Sequence, residues 1–226
     1  ALPLLISVPT PTPQEPSERF SVRGAYRRLF YEVRREWRRY RNFVYFLGAS
    51  ALFRDGLAGV FAFGAVLGVN VYGVSAADVL LFGVAACVVA AVGSVLGGHA
   101  DDWFGSKQVI VLSLSAMIVA GLTLTMLSGV RAFWVCGLLL CLFIGPILSS
   151  SRTLLLRMAA EGKEGVAFGL YTTTGRAASF LAPWLFSVFI DIFGTDRAGM
   201  GGLMAVLLMG LLAMLAVRAP HSRVRH

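Results

Sequence analysis

Three charged residues interrupt long apolar runs in this chain: Arg54 and Asp55 near the middle of one run, and Arg176 near the middle of another. A charge at the centre of a membrane helix costs at least about 2.5–3.5 kcal/mol, so it normally meets a partner or a water-filled cavity. Adjacent helical residues point about 100° apart, so Arg54 and Asp55 cannot share one direction. The economical arrangement gives Asp55 to Arg176 and turns Arg54 toward water, or the reverse. Two chemistries are open. The charges could form a structural ion pair that locks two helices together. They could instead line a midplane site that binds a small solute, with Asp55 or its neighbours also coupling a proton.

A second polar group lies between two apolar runs, in Gly98-His99-Ala100-Asp101-Asp102-Trp103-Phe104-Gly105-Ser106-Lys107. Read from Gly98 through Asp102 and Gly105 to Lys107, it has the form Gly-x-x-x-Asp-x-x-Gly-x-Lys. Glycines let helices approach closely and turn sharply. An acid there can meet a helix N-terminus or a basic side chain. Further along, Gly145-Pro146 removes a backbone hydrogen bond from its run, which suggests a kink or gate. Ser149, Ser150 and Ser151 are expected to bond their own helix carbonyls or a solute. Tyr171-Thr172-Thr173-Thr174 leads toward Arg176. Gly93-x-x-x-Gly97 and Gly64-x-x-x-Gly68 have the spacing of close-packing helix faces.

Enzyme chemistry finds no support. His99, His221 and His226 fall in a turn or the tail, and no Ser-His-Asp or metal-ligand spacing falls at one depth. A phosphate-cradling loop is missing, so no cofactor, metal or nucleotide engine is expected. Cys87, Cys136 and Cys141 sit inside apolar runs and read as packing residues.

The elements that must position these residues are helices in lipid. Of 226 residues, 57% are hydrophobic and 14% charged, with a mean hydropathy of +0.75, whereas a soluble domain carries about 25% charge. Six continuous apolar segments, at 43–69, 76–98, 108–128, 132–151, 166–190 and 199–217, are each long enough to cross a hydrocarbon core of about 30 Å. Barrel strands would alternate in polarity instead. The fold class is therefore all-α, a polytopic bundle of six transmembrane helices over 42–218.

The net charge of +8 follows topology. Sixteen basic residues fall before the first span, after the second and fourth, and after the sixth, while the other loops hold only Arg131 and Arg197. That asymmetry places both ends of the chain in the cytoplasm and argues against nucleic acid as a partner. Residues 1–19 read as the end of a preceding membrane helix plus a Pro-rich linker, so the chain is expected to be the C-terminal part of a longer protein. Residues 20–41 form an amphipathic basic helix suited to the cytoplasmic face of the bilayer, and 219–226 a basic tail. Trp37, Trp103 and Trp134 read as interface anchors.

In its order of basic segment, helix, short turn, helix, Gly-rich acidic turn and four more helices, the chain resembles helices 7 to 12 of a major facilitator superfamily transporter. Phe53-Arg54-Asp55-Gly56-Leu57, Gly145-Pro146 with Ser149-Ser150-Ser151-Arg152, Phe168-Gly169-Leu170-Tyr171 and Arg197-Ala198-Gly199-Met200 narrow the resemblance to the vacuolar effluxer branch. The eukaryotic members of that branch are the autophagy-related amino-acid exporters, and it has many bacterial relatives. The resemblance implies half of a twelve-helix fold in an integral membrane protein of a bacterial plasma membrane. It implies secondary active transport of a small solute, amino acids among the classes, with the N-terminal six-helix half of the same protein as partner. It also implies that the helix carrying Arg54 and Asp55 lines the central cavity. The acidic turn would serve as a conformational latch through Gly98, Asp102, Gly105 and Lys107, with Asp101 beside them. Trp103 replaces the basic residue that usually follows the Asp. The rival from another class is a non-transporting membrane scaffold or receptor, whose buried charges only hold helices together.

Overall fold

The computed structural model describes residues 41–159 and 162–218, so the segment at 1–19, nearly all of the basic helix expected at 20–41 and the tail at 219–226 lie outside the described residues. Among the described residues seven helices follow one another: α1 (Arg41–Asn70), α2 (Ala76–Phe104), α3 (Ser106–Met126), α4 (Val130–Met158), α5 (Glu164–Ala177), α6 (Leu181–Phe193) and α7 (Asp196–Ala216). The pair α5 and α6 shares one span, which leaves six segments long and apolar enough to cross a membrane. The order matches the expected one, but α2 and α4 each run at least six residues beyond the apolar stretch that announced them. Their last turns carry the charged side chains Asp101 and Arg157.

Local sequence sets the turns. Ser75 caps α2 by accepting the Asp78 amide at 3.1 Å and donating to Asp78 Oδ2 at 2.7 Å. A single residue, Gly105, joins α2 to α3 at φ 87° and ψ 148°, a conformation closed to side chains with a Cβ.

In the bundle, α2 lies along α4, α4 also along α3, and α3 against α7. On the other side α1 lies along α7, α6 packs on α7, and α1 reaches both α5 and α6. Phe46, Phe53, Leu114, Met117, Ile147, Leu203 and Leu207 are fully buried between these helices. Lipid tails are as apolar as leucine, so close approach of backbones, rather than water exclusion, holds such a bundle together. Small residues supply that approach. A Cβ at Gly97 would stand 2.6 Å from Pro146 Cα, and one at Gly210 would stand 2.8 Å from the Phe53 amide nitrogen.

Gly145-Pro146 does not break its span. α4 runs unbroken through Pro146, whose ring lies against Gly97, while a Cβ at Gly145 would sit 2.6 Å from the Ser94 amide nitrogen. The pair makes a helix-packing contact, filling the groove that glycines open on α2. The two expected glycine faces also differ. Gly93 and Gly97 both meet α4, whereas Gly68 meets Phe133 and Gly64 meets nothing.

The two ends of the bundle are tied differently. At one end the buried Tyr72 hydroxyl donates to the Leu124 carbonyl at 2.6 Å. Burial pushes that phenol above its usual pKa, with the nearby Arg197 pulling the other way, so it remains a donor. At the end marked by Gly105, Lys107 donates to the Leu215 carbonyl at 3.1 Å and also to that of Val217. There the Arg218 amide donates to Asn42 Oδ1 at 2.6 Å, and Asn42 Nδ2 donates back to the Arg218 carbonyl. The last carbonyls of α7 thus receive a cation, as the helix dipole favours.

Candidate functional site

The fifth span is split at its centre, between Ala177 and Leu181. Pro183 explains the split. It has no N–H to give the Ser179 carbonyl, and in a continuous helix its ring would collide with that carbonyl. In the third position of a new helix the missing donor does no harm. The other amides at the start of α6 can be accounted for one by one. Leu181 donates to the Ala178 carbonyl at 3.1 Å and Trp184 to that of Phe180 at 3.1 Å. The remaining amide, Ala182, has no backbone acceptor and donates at 2.6 Å to Asp55 Oδ2.

Asp55 is therefore a helix cap delivered from another helix. It is 4% exposed, at the middle of α1, and the positive end of α6 points at its carboxylate. Close packing holds the two together: a Cβ at Gly59, one turn along α1, would lie 2.9 Å from the Ala182 Cβ. Asp55 Oδ1 has no donor among the described residues.

Arg54 serves the other side of the split. Its guanidinium donates to the Tyr171 carbonyl at 2.9 Å and lies 4.2 Å from the centre of the Tyr171 ring, a cation–π distance. The guanidinium lies directly over Gly175, where a Cβ would be 2.6 Å from an Arg54 nitrogen and would require the guanidinium to shift. The buried Tyr171 hydroxyl shares a 2.8 Å hydrogen bond with Ser151 on α4, and Phe46 stacks on its ring. Neighbouring residues of α1 thus address both halves of one span, the cation at the closing turns of α5 and the anion at the opening of α6. The helix dipoles favour both placements.

The pairing of Asp55 with Arg176 is not formed. Asp55 is taken by α6, Arg54 by Tyr171, and Arg176 is exposed with no hydrogen bond or ion pair to its side chain among the described residues. The reason is the split: once α6 begins beside α1, its free amide is a nearer partner for the carboxylate than a side chain on the preceding helix. Ser149 and Ser151 donate to their own helix carbonyls, as do Thr172 and Thr174. Ser150 is buried and its hydroxyl has no partner among the described residues.

At the Gly105 turn the register moves by one residue. Gly98 and Asp102, the positions read from the motif, are exposed, and a Cβ at Gly98 would meet nothing. Gly97 and Asp101 are the buried ones. Gly93, Gly97 and Asp101 recur every four residues, so they share the α2 face that packs on α4. Asp101 Oδ1 lies 3.8 Å from the Arg157 guanidinium, too far for a hydrogen bond. Together with the Ser106 hydroxyl, it is left without a hydrogen-bond partner among the described residues. Gly105 and Lys107 occupy the turn and the α7 cap described above.

Sequence reasoning missed the split, Tyr171 as the seat for Arg54, and the Asp101–Arg157 pair. Signals for the first existed in Gly175, Ser179 and Pro183, which punctuate an otherwise helical pattern.

Six helices long and apolar enough to cross a membrane, packed into one bundle, define an integral membrane protein. The chain belongs to the family described as "Vacuole effluxer Atg22 like", whose model it matches over residues 1–226. It is also similar to the "Uncharacterized MFS-type transporter YxiO" of Bacillus subtilis (strain 168), at 22% identity over 193 residues. That match covers 85% of this chain and 45% of the relative, so the chain spans about half the relative's length.

Proposed function

We propose that this chain is the C-terminal half of a secondary transporter, which moves a small solute by rocking against an N-terminal six-helix half around a midplane site. The observation that carries this reading is Arg176: a cation at mid-span, exposed and without a partner among the described residues. Such a charge is not left facing lipid. A cavity shared with the other half gives it water and an anionic solute group to meet. Arg54 and Asp55 border the same split, and a proton is the coupling ion that this acid would carry. Family membership and the relative's name support transport as the activity. Amino acids are the solute class to test first, because an anionic carboxylate matches a free arginine.

The same reading puts the Gly105 end of the bundle, with both chain ends, on the cytoplasmic side of a bacterial plasma membrane. It makes the Gly97–Asp101–Arg157 contact a latch that weights one access state. Full-length protein reconstituted in liposomes should exchange a labelled amino acid against its unlabelled form faster than protein-free liposomes do. Saturable binding of the amino acid without any exchange would instead identify a receptor or scaffold.

A further inference from the structure

We propose that the joint between α5 and α6 is a proton-controlled hinge: the ionised Asp55 carboxylate holds the joint by capping α6, and taking up a proton from solvent releases it. The joint's other hydrogen bonds are local: the Ala178 amide donates to the Thr174 carbonyl, the Ser179 amide and hydroxyl to that of Arg176, Leu181 to Ala178 and Trp184 to Phe180. In a continuous helix the Ala182 amide would donate to the Ala178 carbonyl; here Leu181 donates to that carbonyl instead, and Pro183 has nothing to donate. The carboxylate bond at 2.6 Å is therefore the sole hydrogen bond of the Ala182 amide. It comes from a neighbouring helix, so it is also a direct tie between α1 and the second half of the span.

Protonation acts on that tie through charge. An ionised carboxylate accepts a stronger hydrogen bond than a neutral acid and gains from the positive end of α6. A neutral carboxyl loses both gains, while Arg54 stays on Tyr171 and keeps α5 in place. The motion thus falls on α6 and the short link at 178–180. Other groups do not compete for Asp55. Arg54 precedes it on α1 but is directed to Tyr171, and Arg176 of α5 is exposed. Asp191 of α6 and Arg197 of α7 lie near the opposite end, and the α7 residues that meet α1 next to Asp55 are Leu203 and Leu207. Cys141 and Arg152 of α4, and Asp78 and Asp101 at the two ends of α2, likewise make no hydrogen bond or ion pair with Asp55 among the described residues. One carboxylate therefore governs the cap. The hinge does not depend on the transport reading, because its readout is backbone mobility rather than solute movement.

The test uses full-length protein in lipid nanodiscs, with native cysteines replaced and a nitroxide attached at Phe180→Cys, an exposed position in the link. The mobile fraction of its spectrum should rise at least about twofold from about pH 8 to about pH 5, as the capped population is depleted. Asp55→Asn should abolish that pH dependence. Asp55→Glu should keep it with a displaced midpoint, and this variant decides the matter if Asp55→Asn does not assemble. A flat profile in the parent, a rise in Asp55→Asn equal to the parent's, or an unmoved midpoint in Asp55→Glu would overturn the hinge.

Discussion

At the scale of single residues, neighbouring charges that point apart do different work. Asp55 completes the hydrogen bonding of a helix start, so Asp55→Ala leaves the buried Ala182 amide without an acceptor. A loss of about 1–3 kcal/mol is expected from an orphaned buried donor. Asp55→Ser, which keeps an oxygen at the site, should lose less. Thermal unfolding in detergent checks both. The same geometry changes what a double-mutant cycle should find. Asp55 and Arg176 share no hydrogen bond or ion pair among the described residues, so Asp55→Asn and Arg176→Gln should be additive in stability, within the few tenths of a kcal/mol seen for independent sites. A strong coupling energy would show that the two do meet in the membrane. The presence of buried charge was legible in the sequence, because charged letters inside apolar runs are conspicuous. Their partners were not, because a backbone amide freed by a helix split has no letter of its own.

At the scale of elements, packing separates the members of a repeated pair, burying one and leaving the other exposed. Gly97-Gly98 and Asp101-Asp102 each offer two registers to a motif read as text. The α2–α4 contact selects Gly97 and Asp101, since only residues four apart on that face reach α4. Asp101→Asn, which removes the carboxylate facing Arg157, should therefore reduce transport well below the parent rate in liposomes. Asp102→Asn should leave transport near that rate, because Asp102 is exposed. The reverse ranking would restore the register read from the sequence. The glycines divide in the same way. Gly97→Leu puts a large side chain against the Pro146 backbone and should cost folded protein on the scale of overpacking, about 1–3 kcal/mol or more. Gly64→Ala, in open space, should be neutral or gain up to about 1 kcal/mol of helix propensity. Yield of monodisperse protein on size exclusion separates them. Six spans could be read from the chain because an all-round apolar helix writes its length directly. The split could not, because Pro183 at the third position of a helix and a proline inside one are the same letter. Pro146, inside an unbroken α4, is the contrasting case.

At the scale of the whole molecule, one charged side chain at mid-span lies on a surface that the bundle leaves open. The exposed Arg176 lies on the face where the proposed N-terminal helices would meet this bundle, whereas the Asp101 and Ser106 oxygens without hydrogen-bond partners among the described residues are buried inside it. Topology gives one test of the six-span account. Cysteines introduced at Ser17 and Ser222, after removal of the native thiols, should react alike with an impermeant reagent added from one side, because an even number of spans separates them. Opposite reactivity would mean an odd number.

The most direct measurement of the central claim joins stability and transport at Arg176. In full-length protein in liposomes, Arg176→Gln should abolish exchange of the amino acid that the parent carries. Its melting temperature in detergent should stay unchanged, since the guanidinium holds no bond within the bundle. Arg176→Lys should retain part of the rate. Exchange at the parent's rate in Arg176→Gln would contradict a solute site at the midplane, and loss of folded protein in both variants would make the arginine a structural part of the bundle.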